Sequence, residues 1–408
     1  MYGGGVDRDF VGADRTAADE GGRLSLPSGE VAGRLTANDN TDGDTLMTVG
    51  PISADSHITE PPDCYIAHID PKFRDTAPRI VSDPRRGDIY VVEGMKQTIP
   101  MGLVAAAGID PSKLSMKGGK FADLHRGGWD PTVRLADQDR DGVGAEIIYP
   151  TVGMVLCNHH DLDYKHACLE AYNRWLAEYV SFAPDRLIGL GQTAVRTVAD
   201  GIADLERIKA MGFKGVMMPG MPGVSDYDDP IYDPFWEAAV ALELPLSFHI
   251  LTTEAQRPRG PKLNAFLSII RGCQDILSTL IFGGVFARHP TLKVACVEAD
   301  AGWAPHFMYR MDHAYKRHRY WLEGNALPRL PSEYFRDNIR LTFQDDYVAF
   351  QLAEMLGPQQ LMWANDFPHS DSTWPWSQQV LAEQTKSLSP ELRERIVRGN
   401  VAEFYGIA

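Results

Sequence analysis

From residue 52 onward, eight short runs rich in β-branched and other apolar residues alternate with longer segments of helical spacing. That alternation restricts the fold more than any single motif, because repeated βα units bury their apolar faces around a parallel sheet. The predicted strands run from Ile52 to Ser56, Ala145 to Tyr149, Leu187 to Gly191, Lys214 to Met218, Leu244 to His249, Lys293 to Val297, Arg340 to Phe343 and Leu361 to Asn365. Helical patterns fill the gaps. The clearest runs from Tyr164 to Phe182, with Leu169, Tyr172, Leu176 and Val180 on one face and Pro184 beyond its end. Others cover Val198 to Met211, Leu263 to Arg288, Pro305 to Trp321, Tyr347 to Leu356, Ser377 to Lys386 and Pro390 to Ala402. A further helix is predicted behind Asp233, read as its N-cap, with Pro234 in the first helical position. Eight units in this order predict a (β/α)8 TIM barrel, a fold of about 250 residues without insertions.

The chain has 408 residues, so it carries extra length. Most of that length falls at about 64–144, where Pro, Gly and charged residues break any long period, and it is read as an insertion after strand 1. Residues 47–408 then form one barrel domain. Residues 1–46, rich in Gly, Asp, Asn, Thr and Ser, offer no packed face and are read as a flexible tail. An open doubly wound sheet is the rival architecture, and it would favour a Gly-rich phosphate turn. No GxGxxG or Walker sequence is present.

A net charge of −15 with no clustered Lys and Arg argues against nucleic-acid or anionic-membrane partners, leaving small molecules and further copies of the chain. Cys64, Cys157, Cys168, Cys273 and Cys296 are scattered without a CxxC pair, which fits reduced thiols and a cytoplasmic location. No uninterrupted run of 18 apolar residues and no signal-like N-terminus stands out, so neither membrane insertion nor export is expected.

Reacting groups in such a barrel sit where strands end and βα loops begin. Here those ends are polar: Asp55, Ser56 and His57 close strand one, His249 closes strand five, strand six runs into Glu298 and strand eight into Asp366. Residues two apart on a strand face the same way, so Asp55 and His57 can share the barrel mouth. With His249 and Asp366 they offer two nitrogen and two oxygen ligands, a set suited to one divalent ion, Zn²⁺, Mn²⁺ or Fe²⁺, with positions left open for water or substrate. An isolated histidine after an apolar run is more often a satisfied core residue than a ligand. Four such groups at strand ends in one register reverse that balance.

The segments "ADSHITEPPDCY", "RLADQDRDGVGAEIIYPT", "YNRWLAEYVSFAPDRLIGLGQ", "GFKGVMMPG", "GGVFARHPTLKVACVEADAGWAPHFMYRMD" and "MWANDFPHSDSTWP" resemble the amidohydrolase-related family of the amidohydrolase superfamily. Within it they are similar to the branch of aminocarboxymuconate semialdehyde decarboxylase and the nonoxidative hydroxybenzoate decarboxylases. The resemblance implies a (β/α)8 barrel holding one divalent metal on Asp55, His57, His249 and Asp366, and a homodimer or larger homo-oligomer. Two departures matter. Asp55 replaces the first histidine of the common HxH pair, making the site richer in oxygen and tilting the metal towards Mn²⁺. Glu298 stands where the relatives carry a proton-handling histidine, so it can move the proton, bind the metal or support a ligand. Met217 and Met218 stand where binuclear members carry a metal-bridging lysine or glutamate, so a single metal is expected.

The substrate-side candidates are His306 and Arg310, one turn apart on a helix, with Arg310 suited to a carboxylate or a subunit contact. His369, Trp374 and Trp376 follow the strand-eight aspartate and would wall an aromatic pocket. Glu60 reads as a loop cap or a salt-bridge partner, with support of the metal ligands as the alternative, and His159 and His160 read as loop residues. The function expected is nonoxidative decarboxylation of a small aromatic or cyclic acid, with Glu298, His249 and Asp366 as the catalytic set. Metal-dependent hydrolysis of a C–N or C–C bond, and a ligand-binding barrel without turnover, are the alternatives.

Overall fold

The computed structural model describes residues 50–253, 259–322 and 324–407. The segment 1–46 read as a tail lies outside them. Twelve strands are present among the described residues: β1 (Ile52–Ile58), β2 (Arg79–Asp83), β3 (Gly87–Val91), β4 (Ile99–Pro100), β5 (Ala145–Pro150), β6 (Leu187–Gly189), β7 (Gly191–Gln192), β8 (Val216–Met217), β9 (Leu246–His249), β10 (Val294–Val297), β11 (Ile339–Phe343) and β12 (Leu361–Trp363). Two arcs of parallel sheet, β1-β5-β6 and β12-β11-β10-β9-β8-β7, take up all eight predicted strands. The predicted Leu187 to Gly191 strand is shared between the arcs, because its ladder breaks at Leu190.

At the other seam β12 reaches β1 without a ladder. Asp366 N donates to Asp55 O at 3.0 Å and His57 N to Phe367 O at 2.6 Å, joining the ends of the first and last strands. The strands thus follow one another in barrel order, and the two ligand-bearing ends meet at the seam.

Alternation along the strands divides the core in two. Ile147, Tyr149, Leu190, Met217, Ala295, Val297 and Met362 fill the interior of the sheet, while Ile148, Val216, Phe248, Val294 and Cys296 pack outward against the helices. Ile52 and Ala54 belong to the interior set. A register shift between Ser53 and Ser56 then changes the phase of β1, so that Asp55 and His57 also turn inward beyond Ala54.

Several boundaries differ from the sequence reading. Asp233 is the first residue of helix Asp233–Ala241, not its cap. Asp229 caps the preceding turn Pro230–Tyr232, and the Asp233 carboxylate instead takes Arg288 and His289. Both stretches carry an Asp close before a Pro, and the earlier one wins the cap. The single helix predicted from Leu263 to Arg288 is three: Asn264–Ile269, Arg271–Phe282 and Val285–Arg288, the last entered through Gly284 at φ +76°. By composition and length alone Asn264–Phe282 is apolar enough to cross a membrane, although polar residues interrupt its apolar run. The segment breaks at Ile270; its second part, Arg271–Phe282, packs Cys273, Ile276, Leu277, Leu280 and Ile281 in the core, while Asn264–Ile269 buries no residue. The predicted Tyr347 to Leu356 helix breaks at Leu352, and a π turn interrupts the C-terminal one at Arg395–Gly399.

Between β1 and β5 lie an antiparallel sheet, β2-β3-β4, and an unpredicted helix, Pro131–Asp141. That helix has an Asp130 N-cap, Pro131 in the first turn and Gly142 at φ +68° after its end. Its buried residues are Arg134, Asp137, Gln138 and Asp141, so there is no apolar stripe for periodicity to detect.

Candidate metal centre

Strand ends bring five side chains to one point. Asp55 Oδ1 lies 3.3 Å from His57 Nε2 and 3.5 Å from His249 Nε2. Glu298 Oε2 lies 3.2 Å from His249 Nε2 and 3.7 Å from His57 Nε2, and Asp366 Oδ1 lies 3.5 Å from His57 Nε2. Asp55, His57, His249 and Asp366 are all buried. Glu298 and Asp366 sit in the left-handed region at φ 56° and 52°, strained conformations that concentrate at functional sites. The backbone N–H of Glu298 donates to Thr342 Oγ1 at 2.9 Å, which anchors that turn to β11.

The imidazole hydrogen bonds select the tautomers. His57 Nδ1 is 3.0 Å from Pro150 O and His249 Nδ1 is 2.9 Å from Ile250 O. A carbonyl only accepts, so each Nδ1 carries a proton and the neutral form of each ring directs a bare Nε2 at the cluster. This is the orientation of a metal-binding histidine. Both Nε2 atoms, both carboxylate oxygens of Asp55 and of Asp366, and Glu298 Oε2 are buried without a hydrogen-bond partner. So many orphaned acceptors in one place are too costly for an ordinary core, and their inward atoms form a donor set that fits a divalent cation.

Charge tells the same story. Burial and the neighbouring Asp366 push the Glu298 carboxyl above its ordinary value. Burial drives Asp366 well up. Burial opposes the charge on His57, and the Asp55 carboxylate outweighs it, raising that imidazole well above its usual value. Asp55 feels the same burial but is held low by His249 and His57. Without a cation, the cluster is thus drawn to retain protons.

His369 belongs to this centre and not only to its mouth. Its ring stacks on His57 with centroids 4.0 Å apart, Nδ1 lies 3.1 Å from Asp366 Oδ1 and Nε2 lies 2.8 Å from Thr151 Oγ1. Thr151 commits its O–H to Ile58 O at 2.6 Å, so Nε2 must donate and Nδ1 turns a lone pair towards the Asp366 carboxylate. Burial and the charge of His57 pull His369 down to about 3, keeping it neutral. Two lone pairs facing each other again call for a cation or a proton between them. Thr151 itself was not singled out in the sequence.

Other candidates lie elsewhere. His306 and Arg310 are exposed on helix Ala304–His318, with the His306 ring nearest Tyr309. Trp374 is buried, its indole N–H donating to Asp137 O at 3.2 Å and its ring against Phe367 and His125. Trp376 is half exposed. Met217 is in the interior core, with no lysine at that place. His159 is held in its loop by Glu93 O and the Asp161 backbone N–H.

Glu60 is a cap. One oxygen accepts from Val152 N at 2.8 Å and Gly153 N at 3.2 Å, at the start of helix Val152–Leu156, while the other has no partner. Burial raises its carboxyl to about 7, against an ordinary 4.5. A folded value above the unfolded one means the native state binds the proton more tightly, so stability is expected to fall as pH rises from about 4.5 to 7, by up to roughly 3 kcal/mol. Glu60→Gln keeps an acceptor for both N–H groups and removes the titration. Denaturant unfolding at pH 4.5, 6 and 8 should show that decline in the wild type and a flatter profile in the variant. Parallel profiles would contradict this assignment.

The amidohydrolase family model matches residues 55–407. The 2-amino-3-carboxymuconate-6-semialdehyde decarboxylase of Dictyostelium discoideum is 27% identical over 307 residues, 72% of this chain and 82% of that protein. The gamma-resorcylate decarboxylase of Polaromonas sp. (strain JS666) is 26% identical over 264 residues, 57% of this chain and 74% of that one. Among solved structures, an amidohydrolase from Mycobacterium avium subsp. paratuberculosis K-10 superposes with a TM-score of 0.70 at 22% identity, covering 88% of this chain and 99% of that one. A dihydroxybenzoic acid decarboxylase from Polaromonas sp. JS666, with bound manganese and the inhibitor 2-nitroresorcinol, gives a TM-score of 0.57 at 18% identity, covering 88% and 97%.

Proposed function

The chain belongs to the amidohydrolase family, matched from residue 55 to 407, and from that membership we propose that it is a metal-dependent nonoxidative decarboxylase of a small aromatic or cyclic carboxylic acid. The observation that carries the reading is the convergence of two overlapping sets of ligand atoms, Asp55, His57, His249 and Glu298, and His57, Glu298, Asp366 and His369, with the inward atoms of Asp55, His57, His249 and Asp366 buried and unpartnered. Two relatives that are decarboxylases support the reaction class.

In this reading Asp55, His57, His249 and Asp366 would hold one divalent ion, and the oxygen-rich set would favour Mn²⁺ over Zn²⁺. When bound there, the ion would supply Lewis acidity for the substrate's acidic group. Glu298, whose carboxyl burial and the neighbouring Asp366 push above its ordinary value, would deliver its proton to the ring carbon that bears the carboxylate. The electron pair of the breaking C–C bond returns to the ring, CO₂ departs, and solvent returns the proton to Glu298. His369, fixed by Thr151, positions Asp366 and borders the substrate. Arg310 and His306, exposed on their helix, serve a subunit contact in a homo-oligomer. Five buried free cysteines fit a reducing, cytoplasmic setting.

Glu298 at the strand-six end favours one second reading, hydrolysis of a C–N or C–C bond. There Asp366 takes a proton from an attacking water. Incubating Mn²⁺-loaded protein with hydroxybenzoates and related acids in H₂¹⁸O separates the two. Decarboxylation releases one CO₂ per product with no ¹⁸O in the ring product. A product that keeps its carboxylate and gains ¹⁸O would overturn it.

A further inference from the structure

Helix Pro131–Asp141 buries a polar face, and at its centre Arg134 is fully buried. Its guanidinium has one anionic partner, with Nε 2.5 Å from Glu146 Oε2. The remaining donors go to three neutral carbonyls: Nη1 to His57 O at 2.8 Å and Gly127 O at 3.3 Å, and Nη2 to Phe367 O at 3.3 Å. The guanidinium also lies over the Phe367 ring, 4.6 Å from its centroid. His57 is a metal-centre histidine on β1, and Phe367 directly follows Asp366 at the end of β12.

A buried ion pair alone is weak evidence of stabilisation, since desolvation offsets much of the attraction. Neutralising Glu146 also requires only one edge of the fork. The other edge spans the seam where β1 and β12 share no ladder and are joined by two direct backbone bonds, Asp366 N to Asp55 O and His57 N to Phe367 O. The same seam is stitched by Asn365, whose Oδ1 accepts from Ser53 Oγ at 3.0 Å and Ser56 Oγ at 2.9 Å. Its Nδ2 lies 3.5 Å from Glu146 Oε1, which places it in the Arg134 network. Gln138 fixes Glu146 from the same helix, donating from Nε2 at 2.7 Å.

We propose that Arg134 is a positioning residue: its planar fork holds the ends of the first and last strands at the separation that lets Asp55, His57 and Asp366 share one cation. The proposal rests on the metal reading of the centre and is independent of which reaction the enzyme performs. Lysine has a point charge and no fork, so it can keep the pairing with Glu146 but cannot span both carbonyls.

The test measures Mn²⁺ affinity by EPR titration, and the visible spectrum of the Co²⁺-loaded protein, for wild type, Arg134→Lys and Arg134→Met, beside the melting temperature of each metal-free protein. Loss of an outer support to metal ligands costs about 10–100-fold in affinity. We expect a loss of that size for Arg134→Met, at least about tenfold for Arg134→Lys, and an altered Co²⁺ spectrum at saturation in both. A purely structural role would lower the melting temperature but leave affinity and spectrum at wild-type values in whichever variant folds, and that result overturns the proposal. If neither variant folds, Arg134 serves the fold and the proposal also fails. Wild-type protein that binds no divalent ion refutes the metal reading itself, before any variant is compared.

Discussion

Chelation of the protein is expected to abolish turnover and lower its melting temperature, Mn²⁺ to restore both, and His249→Ala to be restored in neither. His249 has one ring nitrogen fixed on Ile250 O and the other bare towards Asp55 and Glu298. Its removal takes a neutral donor from a set that otherwise becomes mostly anionic, and nothing else on β9 replaces it. An ion bound only to the native state stabilises it by about 3 kcal/mol when present at 100 times its Kd. For a chain of this size that is a shift of roughly 3–4 °C. Loading should also release a proton, because the raised carboxyl of Asp366, a ligand in this reading, must give its proton up to face a cation, whereas Glu298 keeps the proton it delivers. Metal analysis, calorimetry with and without Mn²⁺, and turnover of the same samples check the three parts together. Wild-type metal content in His249→Ala would remove His249 from the centre.

Much of this centre is legible in the sequence because strand ends are short, apolar and abruptly polar. Asp55, His57, His249, Glu298 and Asp366 each close such a run, and the barrel order brings them to one end. The bulge in β1 could not be read, since Ile52, Ala54 and His57 fit no single period of two; only pairing with β5 reveals the shift. His369 was legible as a neighbour of Asp366 but not as a member of the cluster, because the loop that turns it back onto His57 has no periodicity. The partners of Trp374, the Asp137 carbonyl and the Phe367 ring, were not legible either, since one comes from a helix with no apolar stripe. The Arg134 helix shows the commonest blind spot. Its caps were in plain view at Asp130, Pro131 and Gly142, but a helix that buries charge instead of hydrocarbon gives no amphipathic signal.

Glu298→Gln should separate proton handling from metal binding more sharply than any other substitution. The amide matches the carboxyl in shape and can leave the turn at φ 56° undisturbed, but it has no acidic proton to give. If Glu298 protonates the ring carbon, decarboxylation falls by about 10²–10⁴-fold while Mn²⁺ content stays at the wild-type level. If Glu298 is instead a ligand, the loss appears first in metal affinity, and excess Mn²⁺ recovers most of the rate. Asp366→Asn supplies the contrast: its carboxylate lies against His57 and His369 with both oxygens unpartnered, so the amide should lose metal and activity together. The pH profile adds a sign. An acid whose value lies above the ordinary carboxyl range is active while protonated, so the wild-type rate should decline on the alkaline side, and Glu298→Gln should lack that limb in its residual rate. Turnover with Mn²⁺ retained in both Glu298→Gln and Asp366→Asn would leave the proton to His369 or to solvent, and would dismiss the roles given to both acids.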